Sequence, residues 1–248
     1  MEIRTFGGGG RIRECERVLC ERLSEKSCGR LILLPIPTAR DNKYITGTAT
    51  ATADLLPLFD SSVAVVGYNI PPEIAEGARR VGARVFDAGL DEEFLCDNAE
   101  LTARGALGYI LTHTERDLAD MKLGVVGYGR IGVRLVRLLL LLGRNITVYT
   151  GRKRVAMELC EMGISACVIG EGCDFSGLDI LINTAPARQI DERDLPDSTE
   201  IIDLASGSVF EPSGRLTKLA SIPDSMYPKT AGRLYAEAAL RALWGYGV

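Results

Sequence analysis

Short apolar runs alternate with segments of helical periodicity along the chain, and this alternation predicts an α/β protein with parallel sheets. In the first half, helices are predicted over 11–25 and 73–81, where apolar residues recur every three to four positions. The strands predicted in this half are 2–6, 31–36, 63–67 and 84–87. These elements together predict a small α/β domain.

The second half of the chain shows the same alternation. Helices are predicted over 98–116 and 133–142, and a last helix over 230–244. The strand segments predicted here are 121–126, 145–150, 179–186 and 201–206. A second α/β block is therefore expected, without an internal repeat or a disordered linker.

Composition narrows the class of protein. Of 248 residues, 46% are hydrophobic and 25% are charged, which excludes intrinsic disorder. The net charge of −4 argues against nucleic acid as the main partner. The most apolar run, 135–142, has eight residues including Arg137, so we interpret it as a buried helix and expect a soluble, cytoplasmic protein without a signal peptide.

The numbers and spacing of cysteine and histidine argue against a zinc site and against catalysis by histidine. The seven cysteines form no C-x-x-C pair, and one histidine, His113, cannot complete a Cys/His zinc site. We interpret the cysteines as reduced thiols that mostly pack in the interior. His113 lies within a predicted helix and is expected to pack or face solvent, which disfavours histidine-based oxidation of an alcohol.

The strongest motif is an apolar strand that leads into Gly127-x-Gly129-x-x-Gly132 and then directly into an apolar helix. Gly127 permits the tight turn, Gly129 lets the backbone approach a pyrophosphate, and Gly132 lets helix and strand pack closely. The helix N-terminus, with Arg130 and Ile131, offers free N–H groups to phosphates. The alternative is a purely structural glycine turn.

The end of the second strand in this block indicates which dinucleotide is bound. An NAD site usually has an acid there for the ribose 2′-OH, but the segment 149–154 carries three cations and no acid. We predict that Thr150, Arg152 and Lys153 contact the cofactor, and that Arg152 favours NADP(H) by pairing with its 2′-phosphate. A solvated basic helix face is the alternative, and it accounts for Arg134 and Arg137.

Two further strand ends in the second block are expected to border the cofactor, because ligands of doubly wound sheets bind at the carboxyl ends of strands. The alternative for each residue is an ordinary turn. The residues predicted at these ends are Thr184, Ala185, Pro186, Ala205 and Ser206.

Candidate substrate and catalytic residues lie outside this block. Lys229 and Thr230 open the last helix and are predicted to be catalytic, although Thr230 has the alternative role of helix N-cap. Thr38, Arg40 and Lys43 follow a strand in the first half and are predicted to bind substrate, with the two cations binding a carboxylate.

The predicted architecture is α/β with two Rossmann-like domains, doubly wound parallel sheets and a cofactor cleft between them. Residues 1–97 form the substrate-side domain, and the C-terminal helix within 230–248 packs back on it. Residues 98–229 form the NADP-binding domain with its leading linker helix.

Several further motifs occur in order along the second half of the chain. Besides the glycine turn, they are Asn98 with Thr102 and Gly105, Glu161-Met-Gly163, Asp179-Ile with Asn183-Thr184 and Pro186, the 201–206 strand and Pro228-Lys-Thr-Ala-Gly232. In these motifs the chain resembles the dipicolinate synthase A family. A looser match begins at Phe6-Gly-Gly and continues through Leu34-Pro35 with Thr38.

This resemblance implies an enzyme that uses NADP to oxidise a dihydrodipicolinate-type ring to pyridine-2,6-dicarboxylate in the mother cell of a spore-forming bacterium. It also implies a flavoprotein-like partner as the other component of the synthase, and a homo-oligomer is an open expectation. The sequence departs from the family at 221–227, where a Gly-Leu-Pro-Gly-like run is expected, and its N-terminal domain is shorter. A non-catalytic NADP-binding paralogue and a dehydrogenase for another small carboxylate therefore remain as alternatives.

Overall fold

The structure is a computed structural model that describes residues 2–23, 29–143, 145–187, 190–205, 207 and 210–245. The chain divides into two compact units. Unit 1 comprises Met1–Asn98 and Pro223–Val248, and unit 2 comprises Ala99–Ile222.

The described residues form twelve strands and seven α-helices. The strands are β1 Glu2–Thr5, β2 Arg30–Leu33, β3 Ala39–Arg40, β4 Tyr44–Ile45, β5 Val63–Gly67, β6 Arg84–Asp87, β7 Leu123–Val126, β8 Ile146–Thr150, β9 Ser165–Val168, β10 Ile180–Asn183, β11 Glu200–Asp203 and β12 Leu216–Lys218. The helices are α1 Gly10–Arg22, α2 Pro72–Arg80, α3 Glu92–His113, α4 Arg130–Leu140, α5 Lys153–Glu161, α6 Ile222–Met226 and α7 Pro228–Trp244.

The main sheet of unit 1 has four parallel strands in the order β1-β2-β5-β6. Its inner strands β2 and β5 are buried on both sides, as continuous apolar runs in a parallel sheet should be. Leu31 and Leu33 belong to the core that includes α1 and α7, whereas Ile32 belongs to the core that includes α2. Tyr235 of α7 is fully buried, and its hydroxyl donates to the carbonyl oxygen of Leu34 at 2.9 Å.

The sheet of unit 2 has six parallel strands in the order β9-β8-β7-β10-β11-β12. Counted along the chain within this unit, the order is 3-2-1-4-5-6, which is the Rossmann order. Helices α3 and α4 share one core with this sheet, which includes Ile110, Leu135 and Leu139. The direction of winding reverses between β7 and β10, where such sheets bind their ligands. The predicted α/β class with parallel sheets is confirmed.

Some element boundaries differ from the prediction for local reasons. Helix α3 begins at Glu92 rather than at residue 98, because the Asp91 carboxylate accepts the backbone N–H of Phe94 at 2.9 Å and so starts the helix earlier. Helix α4 already begins at Arg130. The elements that were not predicted are β3, β4, β9, β12, α5 and α6, and all of these except α5 have at most five residues.

Two sequence-based interpretations are wrong. Thr230 is not the N-cap of α7, because the helix begins at Pro228 with Tyr227 in the capping position, and a proline suits the first helical position. The cysteines are not all free thiols, since Cys167 and Cys173 form a disulfide. These two residues come together because β9 is followed by a tight return of the chain, which cysteine counting does not reveal.

No α-helix in the described part of the chain has the length and apolar character needed to cross a membrane.

Candidate dinucleotide-binding site

The glycine turn of unit 2 follows β7 at the point where the sheet reverses its winding. Gly127 has φ +86°, a left-handed conformation that favours glycine. Its N–H donates to the carbonyl oxygen of Tyr149 at 2.8 Å, which ties the turn to the end of β8. A Cβ at Gly127 would lie 3.0 Å from Oγ1 of Thr184, so both the backbone and the available space require glycine here.

The other two glycines of the turn meet opposite surroundings. A Cβ at Gly132 would lie 2.4 Å from the carbonyl oxygen of Gly127, so α4 can approach the turn only because this position has no side chain. A Cβ at Gly129 would have no neighbour within 4 Å. Gly129 is the N-cap of α4 and provides no side-chain cap, so the first turn, with Arg130 and Ile131, begins beside open space.

Arg152 reaches from the end of β8 back to the glycine turn. Its Nη2 donates to the carbonyl oxygen of Tyr128 at 2.6 Å, and its backbone N–H donates to Oγ1 of the buried Thr150 at 3.2 Å. These contacts place an arginine beside the turn, at the strand end where Rossmann domains distinguish the two ribose types.

The neighbouring cations Lys153 and Arg134 pair with acidic side chains, whereas Arg152 donates to a backbone carbonyl. Lys153 Nζ lies 3.5 Å from Oε1 of Glu171, an exposed pair that sequence order did not suggest. Arg134 pairs with Glu100 on α3 at 3.4 Å. The interpretation of Arg134 as part of a helix face, rather than of the cofactor site, therefore agrees with its contacts.

The ends of β10 and β11 are joined by a buried polar network that was not predicted from the sequence. Asn183 Nδ2 donates to Oδ1 of Asp203 at 2.8 Å, and the same oxygen accepts the N–H of Ala205 at 3.0 Å. Both side chains are 1% exposed, and Lys218 Nζ lies 3.9 Å from Oδ2 of Asp203. A polar residue closing each apolar strand was the signal available in the sequence.

The network holds the loops that follow these two strands. Ala185 donates its N–H to Oδ1 of Asn183 at 3.2 Å, and Oγ1 of Thr184 donates to the carbonyl oxygen of Val126 at 2.9 Å. The structure thus brings Thr184 and Ala185 against the glycine turn. Pro186 is exposed just beyond them, and Ser206 lies outside the described residues.

The predicted substrate residues belong to unit 1. Thr38 is fully buried, and its Oγ1 accepts the N–H of Tyr68 at 2.9 Å, so it links the loop after β2 to the loop after β5. Arg40 and Lys43 are exposed on the β3–β4 hairpin and line one surface cavity with Thr46.

The predicted catalytic residues lie in the first turn of α7, also in unit 1. Lys229 is exposed and Thr230 is half-buried. The pKa of Glu14 is lowered mainly by a hydrogen bond from Arg17, with smaller charge effects from Arg233 and Lys229, which places the Lys229 charge close to α1. The predicted cofactor residues, by contrast, all lie in unit 2.

One charged residue of unit 1 was missed. Arg11 directly follows the glycine run 7–10 and is only 5% exposed. Its Nη2 donates to Oδ1 of Asn98 at 3.1 Å, whereas its Nε is buried without a hydrogen-bond partner. The sequence signal was an arginine placed directly after a strand and four glycines.

Within the part of the chain that the structure describes, no group of three or more His, Cys, Asp or Glu side chains is arranged to hold a metal ion.

The strand order and the glycine turn define the class: unit 2 has a Rossmann-type fold. Solved structures agree on the fold, and D-lactate dehydrogenase from Escherichia coli aligns with a TM-score of 0.65, 13% identity, and coverage of 100% of this chain and 98% of that one. No family model matches the chain.

Similarity to one particular protein is stronger. Dipicolinate synthase A from Bacillus halodurans aligns with a TM-score of 0.78 and 20% identity over 98% of this chain and 97% of that one. The curated dipicolinate synthase A of Bacillus subtilis (strain 168) is 28% identical over 181 residues, which cover 68% of this chain and 60% of that relative. The match thus spans less than two thirds of the curated relative, and the predicted resemblance is confirmed.

Proposed function

We propose that the protein is an NADP(H)-dependent oxidoreductase that oxidises a dihydrodipicolinate-type ring to pyridine-2,6-dicarboxylate. The observation that carries the proposal is the glycine turn at the winding reversal of a 3-2-1-4-5-6 sheet, with Arg152 held beside it. The similarity to dipicolinate synthase A supports the choice of substrate.

The residues present fit a dinucleotide. Gly129 leaves open space at the start of α4, where the N–H groups of a first helical turn favour a phosphate. Thr184 and Ala185 close one side of the turn, and Thr150 fixes the backbone of Arg152 on the other. Together with Arg130, Ile131, Lys153, Pro186 and Ala205, these residues make up the proposed cofactor site.

Preference for NADP(H) is proposed to rest on Arg152. A guanidinium has five N–H donors, and the hydrogen bond to Tyr128 uses only one of them. The remaining donors can pair with a 2′-phosphate in the bidentate geometry that arginine favours. No carboxylate within 149–154 is available for a ribose 2′-OH, and Glu171 already pairs with Lys153.

The proposed reaction removes a hydride from one C–H bond of the ring and a proton from a second ring atom to solvent, and the electron pair left by the proton completes the aromatic ring. Bound NADP⁺ supplies the hydride acceptor. In unit 1, Arg40 and Lys43 are proposed to attract the dicarboxylate with Thr38 holding their loop, while Lys229 and Thr230 are proposed to assist the proton transfer. This chemistry needs no histidine, which suits a chain whose one histidine, His113, stacks on Tyr109 within α3.

Partners are part of the proposal. Similarity to a protein that is named as one component of dipicolinate synthase supports a flavoprotein-like partner, dipicolinate synthase B, and a homo-oligomer is also compatible with the sequence.

A different small carboxylate is the second candidate substrate. The observation that favours it is the departure from the family pattern at 221–227, because this segment contains Asp224, whose carboxylate accepts the backbone N–H of Arg11 at the start of α1.

The first test is a titration of the purified protein with NADPH and NADH, followed by nicotinamide fluorescence. We expect selective NADPH binding, and Arg152→Gln should weaken it about ten- to a hundredfold, because a charge-assisted hydrogen bond contributes roughly 1.5–3 kcal/mol. Arg154→Gln is the matched control, since Arg154 is exposed on α5 and pairs with Glu158 instead. Equal loss in both variants, or equal binding of NADH, would refute the NADP assignment.

The second test is turnover of dihydrodipicolinate with NADP⁺, followed by the absorbance of NADPH. Activity supports the proposed reaction. NADPH binding without turnover of this or any other small carboxylate would instead identify a non-catalytic paralogue.

A further inference from the structure

Arg11 is a buried cation without a role in the reaction proposed above. Within the described part of the chain, the hydrogen bonds of its side chain amount to one, from Nη2 to the neutral amide oxygen of Asn98 at 3.1 Å. Burial lowers the pKa of the guanidinium, while the nearby charge of Asp224 opposes that shift. Arginine nevertheless stays protonated in proteins, so a positive charge is held in the interior with few partners.

No carboxylate among the described residues forms an ion pair with this guanidinium within 4 Å. Asp224 has the largest electrostatic effect of any acid on the guanidinium, but its Oδ1 accepts the backbone N–H of Arg11 at 3.2 Å rather than a side-chain donor. Asp224 therefore caps α1 and leaves donors of the arginine unsatisfied. A buried charge without a paired counter-ion is costly, and a bidentate carboxylate would remove much of that cost.

Arg11 also lies where parallel sheets bind ligands. It is the second residue of α1, after β1 and the glycine run 7–10. Tyr68, which directly follows β5, contributes to the electrostatic environment of the guanidinium, and its backbone N–H donates to Oγ1 of Thr38 after β2. Because β1, β2 and β5 are neighbours, these residues gather at the carboxyl ends of three adjacent strands.

We propose that Arg11 binds a carboxylate group of the substrate in unit 1, and that Asp224 weakens this binding through its competing negative charge. The identity of the ligand, a pyridine ring with carboxylates beside the nitrogen, rests on the proposed function. The site itself follows from the buried guanidinium, the glycine run before it and its position at the strand ends. Arg11 and Asp224 thus form a pair that sets specificity for carboxylates.

The test is calorimetric titration of the full chain, without dinucleotide, with pyridine-2,6-dicarboxylate and pyridine-2-carboxylate. Arg11→Gln should weaken dicarboxylate binding at least tenfold, and Arg11→Lys should recover part of the loss through its point charge. Arg22→Gln is the matched control, because Arg22 is exposed on the same helix, and its affinity should equal that of the wild type. A folded Arg11→Gln protein with wild-type affinity would overturn the inference.

The second variant, Asp224→Asn, has the opposite expected sign. Asparagine can still accept the N–H of Arg11 and cap α1, but it removes the competing charge, so dicarboxylate binding should tighten about three- to tenfold. If Arg11→Gln does not fold, unchanged affinity in Asp224→Asn overturns the proposal on its own. If the Arg11–Asp224 contact is purely structural, the two substitutions should change the melting temperature and leave the affinity for dicarboxylates unaltered.

The inference and the proposed function can fail separately. If the wild type binds glutarate or malonate but neither pyridine carboxylate, and Arg11→Gln abolishes that binding, the site is supported and the proposed substrate is wrong. If dihydrodipicolinate is oxidised and Arg11→Gln keeps both its turnover and its dicarboxylate affinity, the function is supported and the Arg11 site is refuted.

Discussion

In each unit, the first strand of the main sheet is followed by a glycine-rich turn and a helix, but the two turns end differently. In unit 2, Gly129 precedes α4 without a side-chain cap, and a Cβ there would meet nothing within 4 Å. In unit 1, the start of α1 is covered by Asp224, whose Oδ2 would lie 3.2 Å from a Cβ at Gly9.

The difference shows why the same local motif need not have the same function. An open helix N-terminus attracts phosphate, whereas one that is capped by a carboxylate is already neutralised. The glycines after β7 leave space for a ligand backbone, while Gly10 after β1 lets the chain approach Pro228 of α7, at 2.7 Å from the position of an added Cβ. Dinucleotide binding is therefore proposed for unit 2 alone, and carboxylate binding for unit 1.

The largest expected effect is at Gly132. The Cβ of Gly132→Ala would lie 2.4 Å from a backbone oxygen that cannot move without breaking the turn, so we expect a loss of about 3 kcal/mol in the free energy of unfolding and no measurable dinucleotide binding. Urea unfolding and fluorescence titration measure the two effects.

Gly129→Ala is the matched variant for this prediction. Its φ of −94° suits alanine and its added methyl group meets nothing, so stability should stay within about 0.5 kcal/mol of the wild type while NADPH binding weakens. If both variants bind NADPH like the wild type, the turn is structural and does not hold a cofactor.

Whether a feature of the fold or of the candidate site could be predicted from the sequence depends on how far apart its residues lie along the chain. All strands of the two main sheets except β9 and β12 were predictable, as was the glycine turn, because apolar runs and the Gly-x-Gly-x-x-Gly spacing are local signals. The contact of Arg152 with Tyr128, the Asn183–Asp203 pair and the capping of α1 by Asp224 were not. They join residues 24, 20 and 213 positions apart, which only the folded sheets bring together.

The disulfide and the start of α3 were missed for different reasons. An odd number of cysteines does not indicate which of them pair. The disulfide between Cys167 and Cys173 could therefore be inferred only from the turn that follows β9. Asp91 was a local capping signal that the pattern of apolar residues obscured, because the helix begins with two acids before its first apolar residue.

A smaller effect is expected at Gly10 in unit 1. The methyl group of Gly10→Ala would meet the rigid ring of Pro228, so we expect a loss of about 1–2 kcal/mol in the free energy of unfolding, reduced in part by the higher helix propensity of alanine. NADPH affinity should not change. Gly8→Ala, which meets nothing within 4 Å, is the control, and equal stability of both variants would contradict the proposed close packing.

The smallest effect is expected at Glu171, which pairs with Lys153 beside the proposed 2′-phosphate site. Both side chains are more than half exposed, so Glu171→Gln should free Lys153 at little cost to stability and tighten NADPH binding only about two- to fourfold. NADH affinity should stay constant, and the gain should shrink as salt screens the interaction. Glu158→Gln, which removes the carboxylate paired with Arg154 on α5, should change neither affinity. An equal gain for NADH would place Lys153 away from the 2′-phosphate and leave Arg152 alone to select the cofactor.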